Sequence, residues 1–311
     1  MARRIMVMRN AREVLVIGGS RYFGKRLITR LLAAGDRVTV LNRGSSAPSP
    51  GVDHLVADRN DEKSLTAALG SRTFDVVVDQ VCYTPRQAEI ARRVFTGRTR
   101  RYVMTSTVEV YEYEDSIALV RESDVDPLDV AVELELPWND AEFLDTHYGE
   151  GKRQAEAVFA AAPAFPYTAV RVAHVLGGDD DFTGRIAHYA DRIRTGEPIA
   201  VPMVNHPATY IHVEEIADFL HWAVGQDFTG PVNAASHGPL TTEELCAEIA
   251  AHILDGRTVF QQVEVGEVSP FAFTRSYGMD NSRATRLGFR FTHARQWLPK
   301  AVAETLGKDG G

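Results

Sequence analysis

The sequence predicts an α/β fold: a doubly wound parallel sheet, with a smaller C-terminal lobe interleaved with it. Three observations point there. Short β-branched and aliphatic runs alternate with helical patterns from residue 14 to residue 172, the rhythm of parallel strands joined by crossover helices. A Gly-rich turn, Gly18-Gly19-Ser20-Arg21-Tyr22-Phe23-Gly24, links the first run to the first helical stretch. Further on, Tyr148 and Lys152 stand one helical turn apart.

Taken in order, the strand-like runs fall at 14–17, 38–41, 54–56, 74–78, 102–105 and 168–172. Val14-Leu15-Val16-Ile17 is apolar throughout, as a strand buried on both faces requires. Helical patterns lie between the runs at 23–34, 62–69, 85–95 and 148–161. Phe23, Leu27, Leu31 and Leu32 repeat at helical spacing, and Gly35 stops that helix. These elements divide the chain into residues 1–176, a dinucleotide-binding unit, and 177–311, mainly a substrate lobe. Parts near 208–235 return to the first unit's sheet. After Gly177 the pattern loosens, and Pro198, Pro202, Pro207, Pro231 and Pro239 punctuate it. The tail Gly307-Lys308-Asp309-Gly310-Gly311 is expected to fray.

Strand, Gly-rich turn and helix in this order make a cradle for a pyrophosphate, with backbone N–H groups and the helix dipole facing the anion. Gly18 and Gly24 are the outer glycines, but Arg21 takes the central place. At the end of the second strand stands Leu41-Asn42-Arg43-Gly44. A carboxylate there would accept the adenosine ribose hydroxyls and repel a 2′-phosphate. Asn42 supplies none, and Arg43 can grip phosphate with two parallel hydrogen bonds, with Arg21 close by. NADP is therefore the expected coenzyme and NAD the alternative. Asp58, ending the third strand, is placed to accept from the adenine amino group. Lys152 beside Tyr148 is expected to draw the phenol toward the range useful for proton transfer.

Composition bounds the rest. A chain of 311 residues with 44% hydrophobic and 24% charged residues can bury a large core. Cys82 and Cys246 are too few and too far apart for a disulfide framework or a zinc site, so no metal is expected. Arg3, Arg4, Arg9, Arg12 and Glu13 break up any signal-peptide core, and no apolar run reaches the ~20 residues of a membrane helix. A cytoplasmic protein with no membrane partner is expected. Net charge is −8, yet residues 112–147 carry 12 acids against one base, Arg121. That field opposes nucleic acid as a partner.

Together these residues resemble the extended short-chain dehydrogenase/reductase superfamily, the NAD-dependent epimerase/dehydratase group, over nearly the whole chain. Tyr102-Val103-Met104-Thr105-Ser106-Thr107-Val108-Glu109-Val110-Tyr111 resembles its catalytic Ser/Thr strand, with Thr107 matching and Ser106 as fallback. Ile211-His212-Val213-Glu214-Glu215-Ile216-Ala217, Val232-Asn233-Ala234 and Asp280-Asn281-Ser282 with Leu287-Gly288-Phe289 resemble later family segments. The resemblance implies a Rossmann fold and a Thr107, Tyr148 and Lys152 triad. Tyr148 would exchange a proton with a substrate hydroxyl or carbonyl oxygen, Thr107 would hydrogen-bond that oxygen, and Lys152 would bind the nicotinamide ribose. Ser20, Tyr22, Phe23 and Val81 join the coenzyme set with the residues above; Tyr83, Glu109 and His174 are candidate substrate residues. Glu109 matches a dehydratase acid/base, but Val108 stands where those dehydratases carry an acid.

Two departures bear on substrate. Ala208 and Thr209 occupy the region where sugar-nucleotide enzymes carry an Arg for the diphosphate, and His174 stands in place of an Asn. Arg21 and Tyr83-Thr84-Pro85 resemble an atypical branch that includes chloroplast stem-loop RNA-binding relatives. The main expectation is an NAD(P)-dependent oxidoreductase acting on a hydroxyl or ketone of a small, neutral or cationic metabolite. The alternatives are an epimerase or dehydratase of a (nucleotide) sugar, and a non-catalytic dinucleotide sensor or RNA binder. Arg185 or Arg275 would have to replace the missing clamp for an anionic substrate. A homodimer is expected through helices 85–95 and 148–161, the latter offering Ala155, Val158, Phe159 and Ala162.

Overall fold

The structure, a computed structural model, describes residues 11–114, 118–161, 163–264 and 266–307. Arg3, Arg4 and Arg9, Ala162 and the tail 308–311 lie outside the described residues. The first half of the chain gives β1 (Glu13–Ile17), α1 (Tyr22–Ala33), β2 (Arg37–Asn42), β3 (Asp53–Val56), α2 (Glu62–Leu69), β4 (Val76–Asp79), α3 (Pro85–Phe95), β5 (Tyr102–Thr107), α4 (Ala141–Thr146), α5 (Tyr148–Ala161) and β6 (Tyr167–Val172). The second half gives β7 (His174–Leu176), α6 (Arg185–Thr195), β8 (Pro198–Pro202), β9 (Tyr210–His212), α7 (Val213–Val224), β10 (Gly230–Ala234), α8 (Thr242–Ala250), β11 (Val259–Val263), α9 (Ser282–Leu287) and α10 (Ala294–Leu306).

Seven strands form one sheet in the order β10-β6-β5-β4-β1-β2-β3, and every pairing is parallel. Parallel strands covered on both faces need apolar side chains pointing both ways. In β1, Val14 and Val16 enter one core and Leu15 and Ile17 the other, all at most 1% exposed. Each such side chain contributes about 1.5–3 kcal/mol on burial. The strand order reverses between β1 and β4, which leaves a crevice at their carboxyl ends.

The fourth strand starts later than the sequence suggests and ends on a charge. Phe74 makes only a bridge to Thr99, and the strand runs from Val76 to Asp79. Asp79 is buried without penalty of an unpaired charge, because it accepts from the Tyr102 hydroxyl and pairs with Arg59 at 3.0 Å. Beyond β6 the chain leaves and comes back: β10 pairs with β6, while α7 lies on α1 through Arg26–Glu214 and Arg30–Asp218 contacts of 2.6 Å. A third apolar core, including Ile186, Tyr189, Ile199, Tyr210 and Leu298, belongs to the later elements. Two small parallel pairs, β7 with β9 and β8 with β11, complete that region. Both cysteines are buried and free.

Candidate active site

A cleft of about 1020 Å³ opens at the carboxyl ends of the sheet strands. Its first wall is the Gly-rich turn. Gly18 and Gly19 have φ of 85° and 75°, a left-handed backbone that favours glycine. A Cβ on Gly18 would come within 2.9 Å of Val81, and one on Gly24 within 2.6 Å of the Gly19 Cα. Gly24 does not line the cleft; it lets α1 pack against the turn. Tyr22 also has positive φ, 50°, and its hydroxyl donates to the Gly177 carbonyl at 2.7 Å. The N-cap of α1 is Arg21, which makes no side-chain cap, so no side chain competes for the first-turn N–H groups. Uncapped amides beside a turn that only small residues fit suit the pyrophosphate of a dinucleotide coenzyme.

Asn42, Arg43 and Asp58, expected at an adenosine end, all line the cleft. The Asn42 amide donates to Ser20 Oγ at 3.1 Å and accepts from Gly44 N at 2.8 Å, bracing β2 against the turn. Arg21 and Arg43 are exposed, with no ion pair among the described residues. Asp58 accepts from Asn60 N at 2.9 Å, shaping its own turn.

Tyr148 and Lys152 lie on α5, and Thr107 ends β5. The Lys152 side chain is 1% exposed; its Nζ donates to the Thr105 carbonyl at 2.7 Å. That ammonium sits 4.5 Å from the Tyr83 ring centre and 5.8 Å from that of Tyr148. Burial lowers the Lys152 pKa to about 8. Burial also raises that of Tyr148, and the neighbouring Tyr83 adds to the rise, while a hydrogen bond with Thr107 opposes it. The sequence spacing leads one to expect a lowered phenol pKa; in this arrangement desolvation outweighs the ammonium. Ser106, the fallback hydroxyl, is engaged by Glu156, itself paired with the buried Arg171 at 2.7 Å.

The far end holds Glu109 and His174. Glu109 accepts from the Tyr277 hydroxyl at 2.9 Å and lies 3.8 Å from Arg275; burial raises its pKa. His174 stacks on Phe273 with ring centres 5.1 Å apart, and burial drives its pKa down to about 3, so the ring is neutral. His147 is spent on structure: it stacks on Phe143 at 4.0 Å and its Nδ1 contacts the Phe143 carbonyl at 2.9 Å.

All the expected site residues except Gly24 line this one cleft. Sequence reading missed Gln80, Phe182 and Thr183 in its wall, and Arg59, which is buried against Asp79. Only Asp79, an acid closing an apolar run, hinted at a buried cation. The acidic stretch is less of a field over the cleft than its count suggests. Of its carboxylates, Glu112 and Asp145 line the cleft, and Glu112 lies 3.2 Å from Arg153. Others act as caps or braces: Glu122 accepts from Asn233 N, Asp126 from Leu128 N and Asp140 from Phe143 N. Among the described residues no three metal-ligating side chains are gathered, and no helix is long and apolar enough to cross a membrane.

Several known proteins share this architecture. The Bordetella bronchiseptica enzyme WbmH, solved with NAD+, superposes with a TM-score of 0.70, 16% identity, and coverage of 96% of this chain and 98% of that one. Thermotoga maritima UDP-glucose 4-epimerase, solved with UDP-glucose, gives a TM-score of 0.69 at 18% identity, covering 94% and 97%. At such identities the likeness is one of fold. By sequence, the chain is 24% identical over 224 residues to the chloroplast stem-loop binding protein of 41 kDa b of Arabidopsis thaliana, covering 66% of this chain. It spans about half, 53%, of that relative's length. The sequence pattern of the NAD dependent epimerase/dehydratase family matches residues 14–235, most of the chain, and the glycine turn, parallel sheet and cleft fall within that span. This chain thus belongs to the NAD-dependent epimerase/dehydratase family.

Proposed function

We propose that the protein is an epimerase that oxidises a hydroxyl-bearing carbon of a nucleotide-linked sugar transiently and returns the hydride to its other face. The observation that carries the reading is the grouping of Tyr148, Thr107 and Lys152 beside the glycine turn in one cleft. A bound oxidised nicotinamide would supply the hydride acceptor and a positive charge at the site. Tyr148 takes the hydroxyl proton and later gives it back. Thr107, hydrogen-bonded to Tyr148, orients the same oxygen. Lys152, fixed on the Thr105 carbonyl, holds a cation behind the phenol below about pH 8 and donates to the coenzyme ribose. Epimerisation is favoured over dehydration because Val108 supplies no second acid. Fold relatives solved with UDP-glucose, or with NAD and UDP, support the substrate class.

The coenzyme reading is finer: NADP is preferred over NAD, on the strength of Arg43 and Arg21, which line the cleft with Asn42 and have no ion-pair partner among the described residues. The division into a coenzyme unit, 1–176, and a mainly substrate-binding unit, 177–311, goes with it, as does a homodimer. A second reading, net oxidation of a small neutral alcohol, is favoured by Ala208 and Thr209, which are buried and bring no cation. A stem-loop RNA ligand, suggested by the relative's name, is opposed by the acidic stretch 112–147.

The test is incubation with NADP or NAD and UDP-, GDP- and dTDP-hexoses, with sugar stereochemistry read by NMR and coenzyme by absorbance. Inverted sugar without net coenzyme reduction is expected. Tyr148→Phe should lower turnover by about 10²–10⁴-fold while leaving coenzyme affinity nearly intact. Stoichiometric coenzyme reduction would instead favour the dehydrogenase reading.

A further inference from the structure

Lys152 carries a buried ammonium, and no carboxylate around it is free to face that charge. Asp79 and Glu156 are the acids that act on it, but each is held by a guanidinium: Asp79 by Arg59 at 3.0 Å and Glu156 by Arg171 at 2.7 Å. Among the described residues neither forms an ion pair with Lys152. The charge of Arg59 works against the ammonium. Burial pushes the neighbouring Cys82 thiol up to about 11, so it brings no negative charge near neutral pH. The Lys152 hydrogen bond goes to the Thr105 carbonyl at 2.7 Å. A buried cation without a paired counter-ion is unfavourable unless something else supplies negative potential.

Tyr83 supplies it. Lys152 Nζ stands over the Tyr83 ring, 4.5 Å from its centre, nearer than the 5.8 Å to the ring of Tyr148. An ammonium within about 6 Å of an aromatic face is attracted by the ring quadrupole, more strongly once water is removed. The approach is built into the chain. A Cβ on Gly151 would lie 2.4 Å from the Tyr83 carbonyl oxygen, so the glycine just before Lys152 lets α5 come this close. On its other side, Tyr83 N donates to Gln87 Oε1 at 2.7 Å, and Gln87 Nε2 donates to Asn60 Oδ1 at 2.8 Å. The first turn of α3 thus braces the residue. Burial raises the Tyr83 pKa above its ordinary 10, so Lys152 meets a neutral ring rather than a phenolate.

We propose that Tyr83 is a positioning residue whose ring face holds the Lys152 ammonium in place behind Tyr148. The catalytic consequence rests on the epimerase reading; the placement of the cation does not. An aromatic face favours the charged form of the amine, so removing the ring should lower the pH at which Lys152 loses its proton. Phenylalanine keeps the face and should keep that pH.

The chain has five lysines, so lysine 13C-labelled at the ε carbon gives five NMR signals, and Lys152→Met identifies the one from Lys152. On coenzyme-free protein that signal should titrate with a midpoint of about 8. Its attached protons should lie upfield of the other four through the ring current of Tyr83. Tyr83→Leu should lower the midpoint by about one pH unit or more and reduce the upfield shift, while Tyr83→Phe should preserve both. The remaining lysine signals report whether each variant is folded. Should Tyr83→Leu not fold, the wild-type spectrum still decides, because a Lys152 signal without the upfield shift overturns the proposal. An unmoved midpoint in Tyr83→Leu, or an equal fall in Tyr83→Phe, overturns it too. With coenzyme and sugar nucleotide present, the basic limb of kcat/KM should move down in Tyr83→Leu and be restored in Tyr83→Phe. A limb that stays while the lysine midpoint falls separates the cation from catalysis and overturns the positioning role. A wild type that does not epimerise refutes the epimerase, and the lysine titration still judges Tyr83.

Discussion

Replacing Lys152 with methionine should make the protein more stable at neutral pH, and the gain should shrink as pH rises. Lys152 is 1% exposed, and burial lowers its pKa from 10.5 to about 8. Folding at pH 7 therefore carries a buried ammonium that the unfolded chain keeps in water. Between about pH 8 and 10.5 the unfolded state binds the proton and the folded state does not, so stability rises with pH in that window. A shift of this size corresponds to about 3 kcal/mol. Lys152→Met, of similar length and without charge, removes the penalty along with one hydrogen bond to the Thr105 carbonyl, worth about 1 kcal/mol. Unfolding free energies from urea titrations at pH 7, 8, 9 and 10 measure it, the mutant serving to cancel every other titrating group. Wild type should gain about 2–3 kcal/mol on the mutant between pH 7 and 10. A flat difference would refute the buried-cation argument and, with it, the view that this site sacrifices stability for a charge behind Tyr148.

Three further outcomes are expected. Arg43→Ala should erase roughly tenfold or more of an NADP-over-NAD preference, read by calorimetry, since a hydrogen bond to a charged group is worth about 1.5–3 kcal/mol; an unchanged ratio would turn attention to Arg21. Gly24→Ala should lower both coenzyme affinity and melting temperature, because its Cβ would sit 2.3 Å from Gln80 Oε1 and 2.6 Å from the Gly19 Cα; wild-type affinity would show that the turn yields easily. His174→Gln should leave the acid limb of the kcat/KM profile between pH 5 and 8 where it was, since burial holds the imidazole neutral down to about pH 3; a moved limb would mean that His174 titrates in the working range.

How far these sites could be read in advance follows from the range of the forces involved. The glycine turn, the apolar strands and the Tyr148/Lys152 spacing are local, so periodicity and turn chemistry gave them away. Non-local pairing decided the rest. Thr107 and Ser106 look alike in sequence, and only the approach of Glu156 from α5 engages one of them. The phenol of Tyr148 has the expected cation one turn along, yet desolvation dominates, and burial depth is not written in a spacing. Arg185 reads as an ordinary helical arginine until Phe271, 86 positions further on, comes beneath it.

The acidic stretch shows the same dependence on placement and bears on assembly. Read as a charge run, residues 112–147 suggest a solvated field that would turn anions away, hence the expectation of a neutral or cationic substrate. Folded, the stretch wraps α5. Glu133 N donates to Gln154 Oε1 at 2.8 Å, Trp138 is 3% exposed, and a Cβ on Gly151 would lie 3.2 Å from its ring. Arg86 at the start of α3 donates to the Leu134 carbonyl. As a result α5 is buried continuously from Gly151 to Phe159, including Ala155, Val158 and Phe159, which the sequence offers as a dimer face. Association through α3 and α5 would therefore have to use the surface of this wrap, where Leu128 and Val132 are exposed, rather than the helix itself. The cleft is left with Arg21, Arg43, Arg59, Lys152 and Arg185 facing Asp58, Glu109, Glu112 and Asp145. Over the cleft as a whole the cations match or exceed the acids, so the cleft is not the acidic field that the segment's count suggests.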